Sequence, residues 1–153
     1  MSTIQREDLR TNSTVRILVV EDHKQFRQFV CSTLEKGIEL VVIGEVSDGQ
    51  EAVFKAKELQ PDLILLDIGL PGLNGIEAAR QICKLAPKSK IVFLSQESSS
   101  DVAQRAFSVG AMGYVVKSKA SSELLPAVGA AMGGKLFFSA GLVPHALTGA
   151  AQG

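Results

Sequence analysis

From Val15 onward the chain alternates short apolar runs, rich in β-branched residues, with longer stretches whose apolar positions recur at helical spacing. The first kind reads as strands and the second as amphipathic helices, and their alternation predicts βα units built on a parallel sheet. Five strands are expected: Arg16 to Val20, Leu40 to Val46, Leu63 to Leu66, Ile91 to Leu94 and Gly113 to Val116. The runs LILL and IVFL are apolar on both faces, as suits strands covered by helices on each side. Phe26, Phe29, Val30 and Leu34 share one helix face, as do Ala52, Val53, Ala56 and Leu59, and again Ile76, Ala79, Ile82 and Cys83. A more polar fourth helix is expected over Asp101 to Val109, behind a run of three serines, and a fifth over Ser121 to Met132. The punctuation agrees: Gly37 follows the first helix, Asp48 caps the second, and Pro61 and Pro87 precede the third and fourth strands.

Composition adds bounds. A chain of 153 residues, 46% of them hydrophobic, can bury one core, so a single domain is expected over residues 15–138. Residues 1–14 are polar enough for a flexible arm, and 139–153 read as a tail or linker without an output domain. Sixteen basic and sixteen acidic residues leave no overall charge to suggest a nucleic-acid surface, so this chain alone is not expected to bind DNA. No leader-like apolar segment and no run of ~18 apolar residues is present, so a cytoplasmic location with no membrane contact is expected. Cys31 and Cys83 fall inside helical patterns and are expected to be reduced and half-buried.

The chemistry lies where the strands end. In an open α/β sheet, ligands gather beyond the carboxyl ends of the strands. There the first strand runs into Glu21-Asp22, the third into Asp67, the fourth into Ser95 and the fifth into Lys117. Three carboxylates on one rim repel one another unless a cation lies among them, and Mg2+ (or Mn2+) with oxygen ligands and a phosphate answers that need. The central Asp67 can then act as nucleophile toward a phosphoryl group, with Ser95 donating its hydroxyl and Lys117 supplying a positive point charge.

In order and spacing, the segments VVED, LLDIGLPGLNG, FLS and YVVK resemble those of response-regulator receiver domains over about Val15 to Phe138. The resemblance implies a doubly wound α/β fold, a five-stranded parallel sheet in the order 2-1-3-4-5 flanked by five helices, as in flavodoxin-like folds. It also implies a two-component phosphorelay in which a sensor histidine kinase or phosphotransfer protein supplies the phosphoryl group, with a homodimer as a further possibility. Carried over residue by residue, Glu21 and Asp22 are the acidic metal pair, Asp67 the phosphoacceptor and Gly69 the donor of a metal-ligating carbonyl. Ser95 is then the conformation-sensing hydroxyl, Tyr114 the switch aromatic whose ring moves in behind Ser95, and Lys117 the phosphate-facing lysine. The segments LPGLNGIEAARQI, GAMGYVVKS and AVGAAMGGKLFFS look most similar to the subgroup that carries a C-terminal helix-turn-helix domain. Two departures stand out: Gln96 occupies a position where the family usually has a small residue, and Ser118 replaces the common proline after the lysine.

Each residue also has a plainer reading. Asp22 alone reads as a helix cap, Tyr114 as a strand aromatic, Ser95 as a loop serine and His23 as a cap or flank of the first helix rather than a ligand; His145 has no partner at useful spacing. A haloacid-dehalogenase phosphatase needs an acid-base aspartate two residues after its nucleophile, where Gly69 stands. A flavodoxin-like flavin carrier needs a phosphate-cradling loop where EDHKQ would repel the phosphate. A degenerate receiver, binding partners without phosphorylation, is the third alternative.

Overall fold

The computed structural model describes residues 14–139 and 142; most of the N-terminal arm, His145 and nearly all of the tail lie outside the described residues. The strands are β1 (Val15–Val20), β2 (Leu40–Val46), β3 (Leu63–Asp67), β4 (Lys90–Ser95), β5 (Gly113–Val116) and a short β6 (Phe137–Phe138). The helices are α1 (Lys24–Glu35), α2 (Gly49–Leu59), α3 (Gly75–Leu85), α4 (Ser100–Ser108) and α5 (Ala120–Met132). All strand pairs are parallel and the sheet order is β2-β1-β3-β4-β5-β6, the expected five-strand order with one strand added.

Strand alternation divides the core between two faces. Leu18, Val20, Ile64, Leu66 and Phe93 point to one side, where Ala52 and Ala56 of α2, Ala78, Ala79 and Ile82 of α3, and Ala103 and Ala106 of α4 meet them. Ile17, Val19, Leu63, Leu65, Val92 and Leu94 point to the other, against Val30 and Leu34 of α1 and Leu124, Ala127 and Val128 of α5. Each large aliphatic side chain buried this way contributes about 1.5–3 kcal/mol of transfer free energy. Small alanines on the helices let their backbones approach the sheet closely. Asp48 caps α2 by accepting from Glu51 N at 2.8 Å, and Asn74 caps α3 by accepting from Glu77 N at 2.9 Å.

Gly75, the first residue of α3, holds the helix against the end of β3. A Cβ there would stand 2.3 Å from the Asp67 carbonyl oxygen and 2.7 Å from the Ile68 Cα. Gly75→Ala is therefore expected to destabilise the chain by about 1–2 kcal/mol through overpacking, read as a lowered urea midpoint at unchanged slope; an unchanged midpoint would refute the close approach.

The added strand was not legible as one, because two residues after a Gly-Gly pair show no periodicity. Phe137 N donates to Met112 O and Ser139 N to Tyr114 O, extending the sheet past β5. The buried Ser139 also receives the Val116 N–H on its hydroxyl oxygen, and that hydroxyl donates to Glu123 of α5. Phe138 stacks on Tyr114 with centroids 6.1 Å apart, and Leu142 is buried in the same cluster as Tyr114.

Candidate functional site

Register brings the chemistry together. Val20 of β1 is level with Leu66 of β3, so Glu21 and Asp67 leave neighbouring strands side by side. Asp67 is level with Leu94, and Ser95 with Val116, so Ser95 and Lys117 each emerge one step further along the rim. Lys117 opens a 3-10 turn over Lys117–Lys119, and its peptide bond to Ser118 is trans, as are all peptide bonds of the described residues.

Lys117 Nζ lies 2.8 Å from Glu21 Oε1 and 3.4 Å from Asp67 Oδ2, and 4.9 Å above the centre of the Phe26 ring. Glu21 is fully buried, and its backbone carbonyl is fixed by Arg27 Nη1 at 2.8 Å. Asp67 Oδ1 accepts from the Gly69 N–H at 3.0 Å. Burial, with the Glu21 charge beside it, pushes the Asp67 carboxyl up from 3.8 to about 6, against the lowering pull of Lys117 and the Gly69 N–H. Two negative groups thus face one ammonium, leaving the centre short of positive charge.

The shortfall is visible atom by atom. Glu21 Oε1 and Asp22 Oδ1 are buried and accept no well-aligned hydrogen bond; Lys117 Nζ meets the first by charge alone, and the His23 ring approaches the second at 3.4 Å. Carboxylate oxygens buried without donors suit a hard divalent cation. Glu21, Asp22, His23 and Asp67 each offer a ligand atom, all within 4.8 Å of one another.

His23 flanks α1, one of its two expected roles, but does not cap it: it stands at the N-cap position, and its side chain makes no capping bond. Instead Nδ1 lies 3.2 Å from Glu21 Oε2, which also accepts the His23 backbone N–H at 3.0 Å. Sequence spacing could not show this, because a residue just before a helix can turn its side chain either along the helix or back over the rim.

The other groups surround a cleft of about 180 Å³ lined by Asp67, Gly69, Ser95, Gln96 and Lys117, with His23 at its edge. Gln96 is exposed there. Ser95 is buried, and its Oγ accepts the Glu97 N–H at 3.0 Å. Tyr114 is fully buried, its hydroxyl donating to the Glu97 carbonyl at 2.6 Å. The ring expected to move in behind Ser95 is therefore already inside. Ser95 and Tyr114 meet at one residue, Glu97, whose backbone sequence reasoning had not singled out. Cys31 and Cys83 are free and half-buried, and burial raises both thiols, Cys31 to about 11.

Comparison with known proteins agrees with this fold. Residues 17–129 match the family described as the response regulator receiver domain. The chain is 37% identical over 121 residues to the transcriptional regulatory protein LiaR of Bacillus subtilis, covering 79% of this chain and 57% of LiaR. It is 35% identical over 115 residues to the response regulator protein VraR of Staphylococcus aureus, covering 75% of this chain and 55% of VraR. The chain thus spans a little over half the length of these curated relatives. Among solved structures, a LuxR-family two-component response regulator from Aurantimonas sp. SI85-9A1 superposes with a TM-score of 0.81 at 35% identity, covering 85% of this chain and 93% of that one. The receiver domain of the putative response regulator NarL from Mycobacterium tuberculosis gives 0.76 at 28% identity, covering 80% and 99%.

Proposed function

Because the chain belongs to the response regulator receiver domain family, we propose that Asp67 is its phosphoacceptor and that a divalent cation, Mg2+ or Mn2+, assists the transfer. The observation that carries this reading is the Asp67 carboxylate itself, buried at the floor of an open cleft between a lysine and an acidic pair. With its carboxyl at about 6, Asp67 is mostly ionised at neutral pH and able to attack. A carboxylate oxygen forms a bond to phosphorus while the bond from phosphorus to the donor nitrogen or acyl oxygen breaks, and the donor leaves with that electron pair. Lys117 places positive charge beside the phosphoryl group, and Ser95 can turn its hydroxyl toward a phosphoryl oxygen. Glu21, Asp22, Asp67 and the Gly69 carbonyl would hold the cation, which when bound supplies the charge that offsets the phosphoryl oxygens.

The donor is a sensor histidine kinase or phosphotransfer protein, as for two-component receivers. The complete set of acceptor, acidic pair and lysine favours this reading over a degenerate, phosphorylation-independent binding module. The response passes through Ser95. A hydroxyl drawn to the phosphoryl group leaves the Glu97 N–H, and Glu97 also holds Tyr114, so the segment from Ser95 to Ser99 before α4 is the part that moves. Similarity to a transcriptional regulatory protein and to a LuxR-family response regulator supports an output through a DNA-binding domain, with no DNA affinity in this chain alone.

Mg2+ titration by calorimetry tests the cation assignment. Asp22→Ala is expected to weaken Mg2+ binding at least about tenfold, since it removes one of the few oxygen ligands. Equal affinity in parent and variant contradicts it.

A further inference from the structure

The receiver reading assigns the cation to carboxylates, a carbonyl and water, and leaves His23 without a task. We propose that His23 Nδ1 is a further ligand at this centre, which gives it a site for a borderline, nitrogen-accepting divalent ion of the zinc class as well as for Mg2+. The inference rests on the proposed function for the location of the cation, and goes beyond it in the identity of the ion.

Three features support it. The ring has given up the capping role its position offers and lies over the acidic pair, 3.2 Å from Glu21 Oε2 and 3.4 Å from Asp22 Oδ1. Ligand atoms bonded to one ion at ~2.1 Å stand roughly 3 to 4 Å apart, so these spacings need little adjustment. Asp22 Oδ1, the buried oxygen nearest the ring, accepts no hydrogen bond, so the cluster is under-compensated where the imidazole sits, whereas the other such oxygen, Glu21 Oε1, faces Lys117. Finally, the His23 side chain is 63% exposed, so the ring can move the short distance to an ion entering from solvent.

The donor set decides the selectivity. Mg2+ binds oxygen, keeps its waters and gains little from an imidazole, whereas zinc binds imidazole nitrogen strongly. His23 therefore adds to zinc affinity and hardly to Mg2+ affinity. Lys117, Arg27 and the acidic residues act on both ions by charge and cannot produce that difference.

The experiment is a pair of titrations of the full chain, with Zn2+ alone and with Mg2+ alone, on the parent, His23→Ala and Asp22→Ala, together with the 15N shifts of the His23 ring. In His23→Ala, zinc affinity is expected to fall at least about tenfold while Mg2+ affinity stays within about twofold. In the parent, zinc should shift Nδ1 strongly and Mg2+ should not. Asp22→Ala should weaken both ions, tying zinc to this centre rather than to the cysteines or His145. A parallel fall for both ions in His23→Ala, or no fall in either, overturns the inference, as does an Nδ1 resonance that zinc leaves unmoved. A parent that binds zinc through His23 but no Mg2+ would sink the cation assignment of the proposed function and leave His23 as a ligand.

Discussion

Lys117→Met is expected to destabilise the metal-free chain by about 3–5 kcal/mol at pH 7.5, the usual cost of removing one partner from a buried ion pair. Methionine keeps most of the volume over Phe26, so packing changes little. What changes is that Glu21, fully buried, loses its one ammonium at 2.8 Å, and Asp67 loses the same group at 3.4 Å. Two adjacent carboxylates then have no fixed cation between them. Protonating Asp67 relieves the repulsion, and without the lowering pull of Lys117 its carboxyl lies above the parent's value of about 6, so the loss should shrink as pH falls toward 6. Saturating Mg2+ should restore part of the stability by replacing the missing charge. Urea titrations at pH 7.5 and pH 5, with and without Mg2+, provide the measurement. A loss below about 1 kcal/mol, equal at both pH values, would place Lys117 in the class of weak surface pairs.

Asp67→Asn should act in the opposite direction, raising metal-free stability at pH 7.5 by on the order of 2 kcal/mol while removing the proposed phosphoacceptor. The Asp67 carboxyl ionises at about 6 in the folded chain against an ordinary 3.8, because burial and Glu21 outweigh Lys117 and the Gly69 N–H. The full difference is worth on the order of 3 kcal/mol, reduced here for solvent screening in the open cleft. Between pH 3.8 and about 6 the native chain holds more of this proton than the unfolded chain does, so stability falls as pH rises through that window. Below it the group imposes no penalty; above it the penalty is complete. Asparagine cannot ionise, can still accept the Gly69 N–H, and leaves Lys117 to Glu21. Denaturant curves from pH 4 to pH 8 should show the parent losing stability across the window relative to Asp67→Asn. A variant less stable than the parent at pH 7.5 would mean that the lysine more than compensates the buried carboxylate.

Both predictions rest on strand register. The runs LILL and IVFL, buried on both faces, revealed a sandwiched parallel sheet, and Asp67, Ser95 and Lys117 stand where those runs stop. The strand order came from family resemblance, because periodicity says which residues form a strand but not which strand lies beside it. Three things escaped the sequence. Phe137–Phe138 is too short to show alternation, and becomes a strand only because β5 leaves its edge open. His23 sits at a helix boundary, where spacing does not fix the direction of a side chain. Glu97 joins Ser95 to Tyr114 through its backbone, which any residue type carries.

The most direct test of the central claim is intact-mass and peptide mapping of the chain after incubation with Mg2+ and a small-molecule acyl phosphate. One phosphoryl group is expected, mapped to Asp67, absent in Asp67→Asn and absent when the cation is chelated. A chain that stays unmodified in the presence of Mg2+, or one modified to the same extent in Asp67→Asn, would contradict the assignment of Asp67 as phosphoacceptor.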